Sequence, residues 1–183
     1  FVQGRVFPAH ETRTLDVGPG LCHGALARAA GQNVSPADVE AALADRGDIG
    51  AVAASLELGG QRGLGSFGAG GSRGDLSVGE VADELEACAA AEGAGSRDEK
   101  VSRLFGLFTR CSPEEARYLA RLVLGEMRIG VGAGTVRDAV ADAFEVPVEA
   151  VERALQVSND YGAVAVTARD GGVAGLDAMK LSV

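Results

Sequence analysis

Gly130, Gly132, Gly134 and Thr135 stand between Arg128 and Arg137 in the run R-I-G-V-G-A-G-T-V-R. These are residue types that hold an anion. A loop that opens a helix presents N–H groups with no intrahelical acceptor, at the positive end of the helix dipole. Such groups bind phosphate oxygens. Glycine lets another backbone come close where a Cβ would block it, and the flanking arginines suit neighbouring phosphates. Two nucleotide-binding readings of the same glycines fail. The Walker loop needs a lysine directly after its last glycine, and none follows here. The dinucleotide fingerprint needs a preceding strand, and a helical segment precedes here. A tight helix–helix turn, with glycine supplying positive φ, stays open as the structural alternative.

A near twin lies upstream. Gly93-Ala94-Gly95-Ser96 parallels Gly132-Ala133-Gly134-Thr135, and each has basic residues in the turns that follow, Lys100 among them. Two similar anion sites suit a duplex backbone, which is held by phosphate and shape without direct base readout.

Charge points the same way. The net charge is −9, from 17 basic and 26 acidic residues, and only Lys100 and Lys180 are lysine. An acidic, lysine-poor, Ala/Gly/Val-rich chain reads as a protein soluble in very high salt. From Arg97 to Arg137 the balance reverses: 8 basic against 5 acidic residues is +3, which leaves 9 against 21, or −12, elsewhere. A basic island in an acidic chain is where an anionic ligand would sit.

Helices must position these residues. S-P-A-D-V-E-A-A-L-A-D-R-G has Ser35 as N-cap and Gly47 as a stop. Ser77 with Glu80, and Ser112 with Glu115, are capping-box pairs, and a further helix begins at Ser96 with Glu99 three residues on. A segment closed by Gly31, one opening at Thr135, V-E-A-V-E-R-A-L-Q-V-S and Y-G-A-V-A-V-T-A-R complete the set. Apolar residues recur at helical spacing, as at Leu104, Leu107 and Phe108, and no strand pattern appears. The expectation is an all-α, compact multi-helix domain of roughly eight or nine helices over residues 1–183, kept as one domain. The glycine-rich stretch 59–75 reads as a surface loop between an N-terminal and a C-terminal half.

Other chemistry is poorly supported. Cys22, Cys88 and Cys111 are too far apart, and odd in number, for a disulfide framework or a metal site. They read as reduced, buried thiols of a cytoplasmic protein. His10 and His23 have no Cys or His partner at metal spacing, so no metal site is expected in the chain. No apolar run reaches membrane-spanning length, and no signal peptide is visible. The chain opens at Phe1 inside F-V-Q-G-R-V-F, which reads as an internal fragment lacking its preceding segment.

The stretch from Glu115 to Phe144, E-A-R-Y-L-A-R-L-V-L-G-E-M-R-I-G-V-G-A-G-T-V-R-D-A-V-A-D-A-F, resembles the core signature of the N-terminal DNA-binding domain of ATP-dependent DNA ligases of archaeal and eukaryotic type. In that family a helix ending in R-[IL]-G runs into a small-residue loop and a helix beginning [ST]-V. Upstream, the S-x-x-x-K of Ser96 and Lys100, an L-F pair and E-A-R-[YF] fit as well, and N-D-Y-G-A-V-A-V-T-A-R matches later helices. The acidic variety points to a haloarchaeal member.

The resemblance implies a domain that grips nicked double-stranded DNA from the minor-groove side. In the full enzyme it would join an adenylation domain and an OB-fold domain to seal nicks in replication, repair and recombination. A sliding clamp is a further candidate partner. ATP and Mg would serve the catalytic domain, whose K-x-D-G nucleophile motif is absent here: Lys100 lies in K-V-S-R and Lys180 in K-L-S-V. The fragment alone should therefore bind DNA without ligating it. The family's DNA-contacting positions fall on Arg128, Gly130, Gly132, Gly134 and Thr135, with Arg137 flanking, and on Ser96 and Lys100. Arg103, Arg117 and Arg121 are weaker candidates, able instead to cover core edges or pair with Glu114 and Glu115. Two other readings compete: a helix-hairpin-helix module of another repair enzyme, and a helical protein-interaction domain.

Overall fold

A computed structural model describes residues 1, 3–8, 11–59, 76–127 and 129–180. Arg128, His10 and nearly all of the glycine-rich stretch 59–75 fall outside the described residues. Among those described there are nine helices and no strand, as expected of an all-α chain. They form two compact units, Arg13–Met127 and Phe1–Thr12 with Arg128–Val183. The division falls inside the arginine–glycine loop, not at the glycine-rich stretch.

The first unit holds α1 (Pro19–Ala30), α2 (Pro36–Arg46), α3 (Ile49–Ser55), α4 (Val78–Ala90), α5 (Ser96–Arg110) and α6 (Pro113–Val123). Ser35, Ser77 and Ser112 cap their helices in complete capping boxes with Asp38, Glu80 and Glu115. α1 packs on α2 and α5, and α3 packs on α6. Leu26, Ile49, Leu85, Leu104 and Phe108 are fully buried. A Cβ on Gly50 would lie 2.8 Å from the carbonyl oxygen of Arg117, so α3 and α6 approach as closely as they do only with glycine there. The three cysteines are free and buried, and burial pushes the Cys22 and Cys111 thiols up to about 12 and that of Cys88 to about 11.

The second unit holds α7 (Ala133–Ala143), α8 (Val148–Ser158) and α9 (Tyr161–Ala178). Val140, Val151, Val164, Ala168 and Leu176 form its core, with Phe144 and Met179 packed against it. Asp160 caps α9 by accepting from the N–H groups of Gly162 and Ala163 at 2.8 and 3.1 Å. Among the described residues, no helix is long and apolar enough to cross a membrane.

Candidate nucleic-acid interface

The loop after α6 contains glycines of two kinds. Gly125 closes α6 with φ +69, its N–H bonded to Leu122 O at 3.1 Å and that of Glu126 to Arg121 O at 2.7 Å. This is a Schellman cap, in which a left-handed residue satisfies the last carbonyls of a helix. Gly130 also has positive φ, +62. Both positions need glycine for the turn itself.

Gly132 and Gly134 differ. Gly132 is the N-cap of α7 with extended backbone, φ −77 and ψ 167, and Gly134 is the second helical residue. A Cβ at either would meet nothing within 4 Å. Both are exposed, as are Ala133 and Thr135. The first backbone bond of the helix runs from Val136 N–H to Gly132 O at 3.3 Å. The N–H groups of Ala133, Gly134 and Thr135 therefore have no acceptor in the helix. No side chain caps this end, and the first turn carries no acid. α7 begins two residues before the expected Thr135, whose hydroxyl does not serve as a cap.

The upstream twin is built otherwise. Gly93 and Gly95 have φ +78 and +89, and Gly95 is the N-cap of α5. Ser96 is the first helical residue and not the cap; its N–H is bonded to Gly93 O at 3.3 Å. Asp98 and Glu99 sit in the first turn, where they already oppose the helix dipole. Lys100 requires a correction. It is only 6% exposed, and its Nζ donates to Leu15 O at 3.1 Å. The ammonium expected to reach phosphate is held inside the first unit.

The arginines of the basic window are mostly paired. Arg103 bonds Glu99 and Glu84, Arg110 bonds Glu80, and Arg121 bonds Asp48. Arg117 Nε lies 3.4 Å from Glu114 without a hydrogen bond. Arg137 bonds Asp138 at 2.7 Å and faces Glu152 on α8 at 3.8 Å. The hydrogen bond to Asp138, then its charge, raises the Arg137 pKa further. Glu80, Glu84, Asp48, Asp138 and Glu152 lie outside the window or on its edge, so folding largely neutralises an island that looks positive along the chain. Arg97 is exposed and has no ion pair among the described residues.

Two features were missed in the sequence. The Tyr161 hydroxyl donates to Ala133 O at 3.3 Å, linking α9 to the open turn of α7. The start of α1 shares the glycine spacing of that turn but not its donors: Gly18 is an extended N-cap and Gly20 the second helical residue, while Pro19 has no N–H and the Leu21 N–H already bonds Gly18 O at 3.1 Å. The spacing of Gly18 and Gly20 in G-P-G-L was the available signal. Ser96 and Lys100 belong to the first unit, whereas Gly130, Gly132, Gly134, Thr135 and Arg137 lie in the second, at the start of α7 and in the loop before it.

Residues 1–141 match the family described as DNA ligase N terminus. The chain is 67% identical over 184 positions to a DNA ligase of Halobacterium salinarum and 68% identical over 184 to one of Haloarcula marismortui, covering all of the chain and 33% of each relative. A DNA ligase 2 of Methanosarcina mazei is 39% identical over 184 positions, again with all of the chain and 32% of the relative covered. The chain thus spans about a third of the length of the curated relatives it matches.

Proposed function

Because the chain belongs to the DNA ligase N-terminus family, we propose that it holds nicked duplex DNA for an ATP-dependent ligase, with the first turn of α7 as a phosphate contact. The observation that carries this reading is the pair Gly132 and Gly134. Neither backbone sign nor packing within the unit calls for glycine at these two positions. Glycine costs up to about 1 kcal/mol relative to alanine within a helix, and Gly134, in the first turn of α7, bears part of that cost. Close approach of an outside backbone accounts for that loss. The free N–H groups of Ala133, Gly134 and Thr135 then donate to phosphate oxygens, aided by the dipole of α7. Contacts of this kind position a duplex without reading its bases.

Arg128 fits as a flanking cation. Arg137 fits better as a brace between α7 and α8, because Asp138 and Glu152 already face it. Lys100 has no part in the contact.

The chemistry of ligation belongs elsewhere in a full-length ligase. The residues present do not fit the nucleotide or metal: neither lysine lies in K-x-D-G, and no group of three or more potential metal ligands occurs among the described residues. ATP, Mg, the adenylation and OB-fold domains, any sliding clamp and the sealing of nicks in replication and repair are assigned to the rest of that protein. Family membership favours this reading over the helix-hairpin-helix module of another repair enzyme and the helical protein-interaction domain.

The test has two parts. The chain should retard labelled nicked duplexes of unrelated sequence equally, and incubation with labelled ATP should leave no covalent adduct, because the nucleophile lies outside it. Strong preference for one duplex sequence, or a labelled band at 18.5 kDa, contradicts the proposal.

A further inference from the structure

We propose that Tyr161 is a positioning residue for the phosphate-binding turn, acting through the carbonyl of Ala133. The inference rests on the reading of α7 given above. Ala133 is the first helical residue of α7 and directly precedes Gly134. Its N–H is one of the three free donors, and its carbonyl is where the Tyr161 hydroxyl bonds, at 3.3 Å. The tyrosine is fixed from below: it is the first residue of α9, directly after the Asp160 cap. Asp160 N–H in turn bonds the Ser158 hydroxyl at the end of α8, at 3.3 Å. The half-buried ring lines a cleft of about 440 Å³ together with Val136 and Val140 of α7 and Phe7 and Pro8 of the N-terminal segment. A chain of fixed groups therefore runs from α8 through the α9 cap to the open turn.

That turn needs such a brace. Two glycines flank Ala133, and glycine has the most backbone freedom to lose on ordering. No side chain caps the end, and helix ends fray. N–H donors serve a phosphate only when they are aligned, since hydrogen bonds weaken steeply away from linearity. Arg137, through Glu152, holds the helix one turn further along, while Tyr161 holds the residue that carries the donors.

Tyr161→Phe removes the hydroxyl and keeps the ring. Two readouts separate positioning from bulk stability: amide hydrogen exchange at Ala133, Gly134 and Thr135, and affinity for labelled nicked duplex. In Tyr161→Phe those amides should exchange faster, with circular dichroism unchanged, and affinity should fall roughly three- to tenfold, the range of one net hydrogen bond. Faster exchange with parental affinity overturns the proposal, as does unchanged exchange with parental affinity. Weaker binding with unchanged exchange also overturns it, by making the hydroxyl a direct DNA contact. Gly134→Val, measured alongside, separates the two claims. If it binds like the parent, the reading of α7 fails, and Tyr161 has no phosphate contact to position. If it fails to bind while Tyr161→Phe binds normally, only the role of Tyr161 falls.

Discussion

Gly93-Ala94-Gly95-Ser96 and Gly132-Ala133-Gly134-Thr135 read almost alike and each opens a helix, yet their backbones differ in sign. In the first, both glycines are left-handed, the first turn of α5 carries Asp98 and Glu99, and the nearby Lys100 is buried against Leu15. In the second, Gly132 is extended and Gly134 helical, and the first turn carries no acid; neither helix end has a side-chain cap, and a Cβ would meet nothing within 4 Å at any of the four glycines. The first turn is closed on itself and the second is open. A glycine that the turn requires says nothing about a ligand, whereas one that neither turn nor packing requires points outward.

The largest expected effect breaks the closed turn. Gly95→Val forces a branched side chain to φ +89, a strain of about 1–3 kcal/mol, and should lower the melting temperature by several degrees. An unchanged melt would remove the distinction between the two turns.

Next comes a charge pair elsewhere in the same unit. Asp48 caps α3 and bonds Arg121 of α6, and the Arg121 guanidinium, more than the backbone N–H of Gly50, holds its carboxyl at about 2. Asp48→Asn should destabilise by about 1 kcal/mol after allowance for partial exposure. The folded pKa lies below the ordinary value of 3.8, so folding favours the charged form. Its contribution is complete above the ordinary value and is lost as pH falls from about 4 towards 2. Acid titrations of parent and variant should therefore diverge above pH 4 and converge near 2. A constant gap down to pH 2 contradicts the pair.

In the open turn, Gly134→Ala should instead raise stability, by up to about 1 kcal/mol, since a helix former replaces glycine where a Cβ meets nothing. A lower melting temperature would mean that Gly134 serves the fold. The smallest effect belongs to Arg137→Ala. Its partners are exposed acids, so about 0.5 kcal/mol of stability and no more than about a twofold change in DNA affinity should follow. A tenfold loss of binding would return Arg137 to the DNA contact.

What could be read from the chain was local. Ser35 with Asp38, Ser77 with Glu80 and Ser112 with Glu115 announce helix starts because cap and partner are three residues apart. α3 was not read: its seven residues carry no amphipathic repeat, and Gly50 has meaning only against Arg117 of α6. The burial of Lys100 depends on a carbonyl 85 residues away, and the pairing of Arg121 on a carboxylate 73 residues away. A count of charges along the sequence therefore gave a basic island that folding largely neutralises. The open turn was half legible: its glycines stood out, but the sign of φ that separates them from Gly93 and Gly95 is a property of the folded backbone.

The most direct measurement is an anisotropy titration of labelled nicked duplex with the parent and Gly134→Val, at low salt and at 1 M. At 1 M the screening length is about 3 Å, so long-range charge attraction fades while direct N–H to phosphate bonds persist better. The parent should retain binding at 1 M, and Gly134→Val should bind at neither salt while keeping the parent's helical circular dichroism. Normal binding by Gly134→Val, or loss of binding only together with loss of helix, would mean that these glycines serve the turn and not the DNA.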